Sequence, residues 1–352
     1  MKLLDANKGN AKPFLRIAAF LLALIVIIEA LSLTVFSKGA AATYNNKYAN
    51  QFSFLQEPDD SVQLAFIGDS NIYSAVVPIK LWEWCGLTST IIAAPKQTLH
   101  QSYHLLEDLF EKQSPQYVVV ETDMFYRDKP IREDDTVIVE SEKPLDVVFD
   151  TLDPSSFEDV IKGAAPVFTF HDKWKSLLRG KKVPPKDANA HGYHLSLTVR
   201  KFKLKDYMKP ADIADPIKKK DAKQIDAIVS LCRRNGAEVV FVTAPSPVFW
   251  SYERHNATAQ LAKQYGADYI DYNLMWDELG LSSRKHFRDK GHHLNYFGAK
   301  LVTKQFGGYA RHTLKLKSLK NDARYSYWDD STEAFKEDVD ALIAKINETT
   351  EA

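Results

Sequence analysis

Val62–Ser70 reads VQLAFIGDS. The short apolar run stops at Gly68, where the backbone is free to turn sharply, and a run bounded this way suits a buried parallel strand. Thr88–Ala94 (TSTIIAA) and Tyr117–Glu121 (YVVVE) have the same character, with a helical stretch from Gln97 to Glu111 between them. Glu238–Thr243 (EVVFVT) reads as a fourth strand. An amphipathic helix, Asp221–Arg234, precedes it, and Gly236 stands where a helix C-cap belongs. A helix around Thr258–Tyr265 feeds a shorter fifth strand, Asp268–Asp271. This alternation predicts an α/β fold, a doubly wound parallel sheet with helices on both faces in an α/β/α sandwich. Such sheets bind ligands at the carboxyl ends of their strands.

Ahead of the sheet, Ile17–Phe36 runs twenty residues with one charge, Glu29. As a helix rising ~1.5 Å per residue it matches a hydrocarbon core of ~30 Å. Lys2, Lys8, Lys12 and Arg16 precede it against Asp5 alone, a bias that keeps the N-terminus cytoplasmic and sends the rest of the chain outside. A cleaved signal peptide is the rival reading, helped by the small residues of Gly39–Thr43. The apolar region of a signal peptide usually spans about 7–15 residues, so an uncleaved single-pass anchor in the cell membrane is expected. Glu29 is costly at bilayer depth and least so near the outer interface.

From 128 to 216 the alternation breaks, and a stretch this long is usually functional or a small subdomain. Residues 121–160 hold thirteen acids against four bases, and residues 172–220 hold fourteen bases against five acids. Either the two blocks neutralise each other, or Lys181, Lys182, Arg200, Lys201, Lys203 and Lys205 face an anionic polymer or lipid headgroups. Phe168, Phe170, Trp174, Tyr193 and Phe202 pack the insertion or stack on a sugar ring. The division that follows is a cytoplasmic tail (1–16), an anchor (17–36) and a linker (37–60). A sheet domain (61–127 and 217–315) then flanks an insertion subdomain (128–216). A C-terminal extension (316–352) closes the chain, with a helix over Thr332–Asn347.

The 352 residues allow one large or two modest domains, and 45% hydrophobic with 26% charged residues excludes a disordered or collagen-like chain. Lys plus Arg and Asp plus Glu both number 46, so a basic nucleic-acid binder is not expected. Cys85 and Cys232 form no CxxC pair and read as free thiols. His100 and His104 have the i, i+4 spacing of metal ligands. However, Gln101 stands where a zinc HExxH motif needs Glu, and a packed histidine pair is expected. There is no Gly-rich phosphate cradle, and no cofactor or metal is expected.

Two segments carry chemistry. Gly68-Asp69-Ser70 follows the first strand, where a hydroxyl is exposed and its N–H faces a developing oxyanion. Late in the chain comes Asp289-Lys290-Gly291-His292-His293-Leu294-Asn295-Tyr296-Phe297-Gly298. A serine nucleophile needs a base, and that base needs a carboxylate to set its tautomer. Together the segments resemble the SGNH/GDSL family of serine hydrolases and acyltransferases: Gly68-Asp69-Ser70 matches its nucleophile block, and Asp289 with His-Leu-Asn-x-x-Gly its acid–histidine block. The resemblance covers about residues 60–127 and 217–310 and implies the flavodoxin-like form of the sheet, with Ser70 as nucleophile. The family's three-residue acid–histidine spacing selects His292, whereas the His-x-Asn-x-x-Gly tail selects His293, which is favoured. His292 is then the alternative base, a neighbour of the triad or a cap for the next helix.

The family's oxyanion glycine and asparagine are absent. Those positions read Ala93-Ala94-Pro95-Lys96-Gln97 and Glu121-Thr122-Asp123-Met124, leaving Gln97, Thr122, Asp123 or nearby N–H groups as substitutes. Arg127 is a candidate for a carboxylate or phosphate. An anchored SGNH domain with these departures resembles a branch that includes DltD of teichoic-acid D-alanylation and the alginate O-acetylation proteins. That likeness implies acyl transfer onto a cell-envelope polysaccharide or teichoic acid, beside a membrane-bound O-acyltransferase partner, with the insertion as a lid. Rival readings are a deacetylase using water, and a non-catalytic scaffold with a relic triad.

Overall fold

Five parallel strands form one sheet in the order β2-β1-β3-β4-β5: β1 (Leu64–Gly68), β2 (Ser89–Ala93), β3 (Tyr117–Glu121), β4 (Glu238–Thr243) and β5 (Asp268–Asp271). This is the flavodoxin-like doubly wound sheet. The computed structural model describes residues 11–34, 49–127, 167, 190–205 and 207–351. The chain divides into two units, Met1–Asn45 with Pro130–Val183 and Asn46–Lys129 with Pro184–Ala352.

In the first unit, α1 (Ala11–Leu33) contains Pro13–Ser32, twenty residues long and apolar enough to cross a membrane. Val35, Phe36 and the run 39–43 lie outside the described residues. So do Phe168, Phe170, Trp174, Lys181 and Lys182.

In the second unit, all five residues of β1 and β2 are buried, as a strand covered on both faces requires. The helices are α2 (Ile72–Ala75), α3 (Pro78–Cys85), α4 (Leu99–Phe110), α5 (Lys219–Arg234), α6 (Tyr252–Tyr265), α7 (Tyr296–His312) and α8 (Tyr327–Glu351). The chain runs from β1 to edge strand β2 and there reverses toward β3, so right-handed crossovers place α2 and α3 on one face and α4, α5 and α6 on the other. After β5 the chain returns to the first face, where α7 packs on α2 and α3. There Phe306 meets Phe66 edge-on at 5.1 Å, and Thr303 Oγ1 accepts the Val77 N–H at 2.9 Å. Burying a side chain such as Phe66 contributes ~1.5–3 kcal/mol, and α8 extends this core through Trp328 and Phe335.

Two segments outside 61–127 and 217–315 also pack on the sheet. Within the stretch read as linker, Ala49–Gln56 forms a 3₁₀ helix against β2, with Phe54 fully buried and Ser53 Oγ 2.7 Å from Thr90 Oγ1. Within the stretch read as insertion, residues 190–205 return to the sheet as an extended strap. The His191 carbonyl accepts the Ile91 N–H, Tyr193 is fully buried, and Ser196 O accepts the Tyr296 N–H. Apolar burial, invisible in a polar-looking stretch, draws both segments in. Cys85 and Cys232 are free thiols.

Candidate active site

The Gly68-Asp69-Ser70 turn leaves β1 at the strand-order switch point, where such sheets open a crevice. Gly68 is required there: a Cβ would fall 2.5 Å from Glu121 Cβ and 2.9 Å from Ile72 Cγ2. Asp69 is fully buried and accepts the Asn71 N–H at 2.8 Å, and Ser74 Oγ donates to Ser70 O at 2.6 Å. Ser70 is thereby held at the mouth of the turn, partly exposed.

The partner loop is carried across by α7. Asn295 caps this helix, its Oδ1 accepting the N–H groups of Phe297 and Gly298 at 3.1 and 3.2 Å. Its Nδ2 donates to Thr198 O and Lys285 O at 3.1 and 2.8 Å, tying loop and strap to the helix start. Phe287 and Leu294 pair in an antiparallel bridge, and Arg288 N donates to His293 O at 3.1 Å. The turn they close passes through left-handed conformations at Lys290 (φ 65°) and Gly291 (φ 103°). These two positions absorb the extra residue between Asp289 and His293.

His293 Nε2 lies 2.7 Å from Ser70 Oγ. Its Nδ1 bonds Asp289 Oδ2, and its backbone N–H donates to Asp289 Oδ1 at 2.7 Å. The structure therefore brings Ser70, His293 and Asp289 together, 223 residues separating the serine from the imidazole. His292 points elsewhere, its ring edge-on to Phe249 at 5.0 Å. Burial holds the His293 pKa below that of an ordinary imidazole, with Asp289 opposing. Burial works to raise that of Asp289, but the His293 hydrogen bonds and the His293 and Arg288 charges outweigh it and lower it. At neutral pH the pair is a neutral imidazole on a carboxylate, the state that accepts a serine proton.

The remaining sequence candidates are occupied by the fold. Gln97 is fully buried; its Oε1 accepts the Ala94 N–H at 3.1 Å, and its Nε2 donates to Ile92 O and Ser102 Oγ. Thr122 pairs its hydroxyl with Thr243 Oγ1 and donates its N–H to Val242 O. Arg127 bridges Asp69 and Asp123, the latter at 3.2 Å, and Asn71 Nδ2 donates to the same Asp123 oxygen at 3.2 Å. This network braces the turn from behind. Burial pushes Asp123 up to about 6, with Arg254 and Asn71 opposing.

Three residues at the site escaped the sequence reading. Tyr73 and Arg288 flank Ser70, and Glu121 lies buried beneath Gly68 with no hydrogen-bond partner for its carboxyl. Burial and then the Asp123 charge raise the Glu121 pKa well above the usual carboxylate range. Only the adjacency of Arg288 to Asp289 hinted at any of the three. His100 and His104 contact edge-on at 4.7 Å, with His104 Nδ1 2.8 Å from Glu107.

An α/β/α sheet of flavodoxin-like order thus carries a Ser–His–Asp hydrogen-bonded chain at its carboxyl edge. No protein-family model matches the chain, and no curated protein matches it. Among solved structures it is similar to a candidate acylhydrolase from Bacteroides fragilis, at 14% identity and a TM-score of 0.37, over 76% of this chain and 96% of that one. A likeness at that level adds nothing to the strand order and the site geometry.

Proposed function

We propose that this chain is a membrane-anchored, extracytoplasmic serine acyltransferase or esterase of SGNH type, transferring or removing an acetyl or D-alanyl group on a cell-envelope glycopolymer. One observation carries the reading, the hydrogen-bonded chain from Ser70 Oγ through His293 to Asp289. Ser70 Oγ attacks the acyl carbonyl and gives its proton to His293 Nε2, while Asp289 stabilises the imidazolium. The imidazolium then protonates the leaving group. A polymer hydroxyl, or water in the hydrolytic case, next gives its proton to His293 as it attacks the acyl carbon, and His293 returns that proton to Ser70 Oγ as the ester bond breaks.

Other features support the setting. The apolar span of α1, with Lys2, Lys8 and Lys12 before it and Arg16 in its first turn, favours an anchor with a cytoplasmic N-terminus. Arg200, Lys201, Lys203 and Lys205 are exposed on the strap, whose backbone bonds Phe287 O and Ser283 O of the loop before Asp289. Their charge favours an anionic acceptor such as teichoic acid or a uronate polysaccharide. A membrane-bound O-acyltransferase would supply the acyl group.

The test is fluorophosphonate labelling and p-nitrophenyl acetate turnover by the parent and Ser70→Ala. Both signals should vanish in the variant, and surviving turnover overturns the nucleophile assignment. Adding a polymer acceptor separates the two chemistries, since acylated polymer marks transfer and free acid alone marks hydrolysis. A parent that stays unlabelled even beside its partner enzyme fits the non-catalytic scaffold instead.

A further inference from the structure

An acyl carbonyl under attack needs hydrogen-bond donors where its oxygen becomes negative. One donor is at hand: the Ser70 N–H has no partner among the described residues. The sequence candidates for the second, Gln97 and Thr122, are both engaged inside the fold. Tyr73 stands three residues beyond Ser70 on α2, and Ser70, Arg288 and Asp289 are the groups near enough to act on its phenol. Its ring is fixed from two sides. His194 meets it edge-on at 5.6 Å, and the His194 N–H donates to Tyr73 O at 2.9 Å. The Arg288 guanidinium stands 5.7 Å from the ring centroid and donates to Ser74 Oγ at 2.9 Å. Arg288 Nη1 is buried without a partner, so part of its charge is left to polarise the phenol. Burial raises the Tyr73 pKa against the opposing pull of Arg288, and the phenol keeps its proton at neutral pH.

We propose, resting on the acyl-transfer reading above, that the Tyr73 hydroxyl is the second oxyanion donor and that Arg288 holds and polarises it. In the forward step a bond forms between Ser70 Oγ and the acyl carbon, and the carbonyl π pair moves onto oxygen. The Ser70 proton passes to His293 Nε2. The Tyr73 O–H turns to the new oxyanion and donates a hydrogen bond without losing its proton. Collapse returns the electron pair to the C=O bond and breaks the bond to the leaving oxygen, which takes the proton from His293.

The full-length chain in detergent is treated with a fluorophosphonate, and the rate of Ser70 labelling is compared in the parent, Ser70→Ala and Tyr73→Phe. The phosphonyl oxygen occupies the oxyanion position, and losing one donor there slows reaction by roughly 10²–10³-fold. Tyr73→Phe should show that loss with an unchanged pH profile and melting temperature, since His293 and the aromatic packing are untouched. Labelling within about threefold of the parent overturns the Tyr73 assignment alone. A loss accompanied by a shifted pH profile or lower melting temperature overturns it too, because that pattern marks a packing role. A parent that fails to label overturns the acyl-transfer reading itself, and the assignment with it.

Discussion

Burial and the Asp289 carboxylate pull the His293 imidazole in opposite directions, and burial prevails. The base therefore stays unprotonated into mildly acid solution. The acid limb of kcat/KM for p-nitrophenyl acetate should turn down below the ordinary histidine value of ~6.5, and a limb above it would contradict the burial argument. Asp289→Asn leaves the ring able to take the wrong tautomer. The equivalent change in a trypsin-like serine protease costs about 10⁴-fold in kcat, and a loss approaching that size is expected here. Beneath the turn, Glu121 and Asp123 have raised pKa values in the folded state. Their stabilising contribution is complete below the unfolded carboxylate pKa, ~4. It is lost as pH rises through the folded values, about 6 for Asp123 and well above the usual carboxylate range for Glu121. Melting temperature should accordingly fall as the pH is raised from about 4 through about 6, and Glu121→Gln should flatten that fall. An equal fall in both proteins would place the ionisation elsewhere.

Among the elements, α7 bears the greatest positional demand, because the cap at its start sets where His293 stands. Asn295→Ala removes an N-cap worth about 0.5–2 kcal/mol and strips Thr198 O and Lys285 O of their donor. Unfolding by urea should show a loss beyond the cap alone. Asn295→Asp, which keeps the cap acceptor, should recover only part of it. Gly291 is a second control point. A Cβ there would sit 3.0 Å from the Phe202 ring, at a φ of 103° that side chains avoid. Gly291→Ala should slow Ser70 labelling far more than it lowers the melting temperature, since the strain falls on the turn between Asp289 and His293. The strands and helices themselves were legible. Tyr117–Glu121, Glu238–Thr243 and Asp268–Asp271 fall on the bounds read from apolar runs, and β1 and β2 shift by only one or two residues. Helix ends moved further, α6 beginning at Tyr252, six residues before the apolar signal at Thr258, with Ser251 as its cap.

For the whole molecule, removing residues 1–45 should release the chain to the soluble fraction while Ser70 still labels, because the sheet and the triad lie within Asn46–Lys129 and Pro184–Ala352. Membrane association that survives the truncation would point to the strap or the insertion as a second attachment. The sequence by itself determined the apolar N-terminal span, the five strands, the Gly68-Asp69-Ser70 turn and the Asp289–His293 loop, since each is written in local periodicity, composition or spacing. Only the tertiary structure decided that His293 rather than His292 meets Ser70, and that Gln97, Thr122, Asp123 and Arg127 serve the turn and sheet rather than an open pocket. It alone placed Tyr73 and Arg288 beside the serine. A residue's type shows which hydrogen bonds it is able to make. Which ones it does make depends on neighbours brought in by the crossing of α7 and the return of the strap, and local sequence does not encode those neighbours.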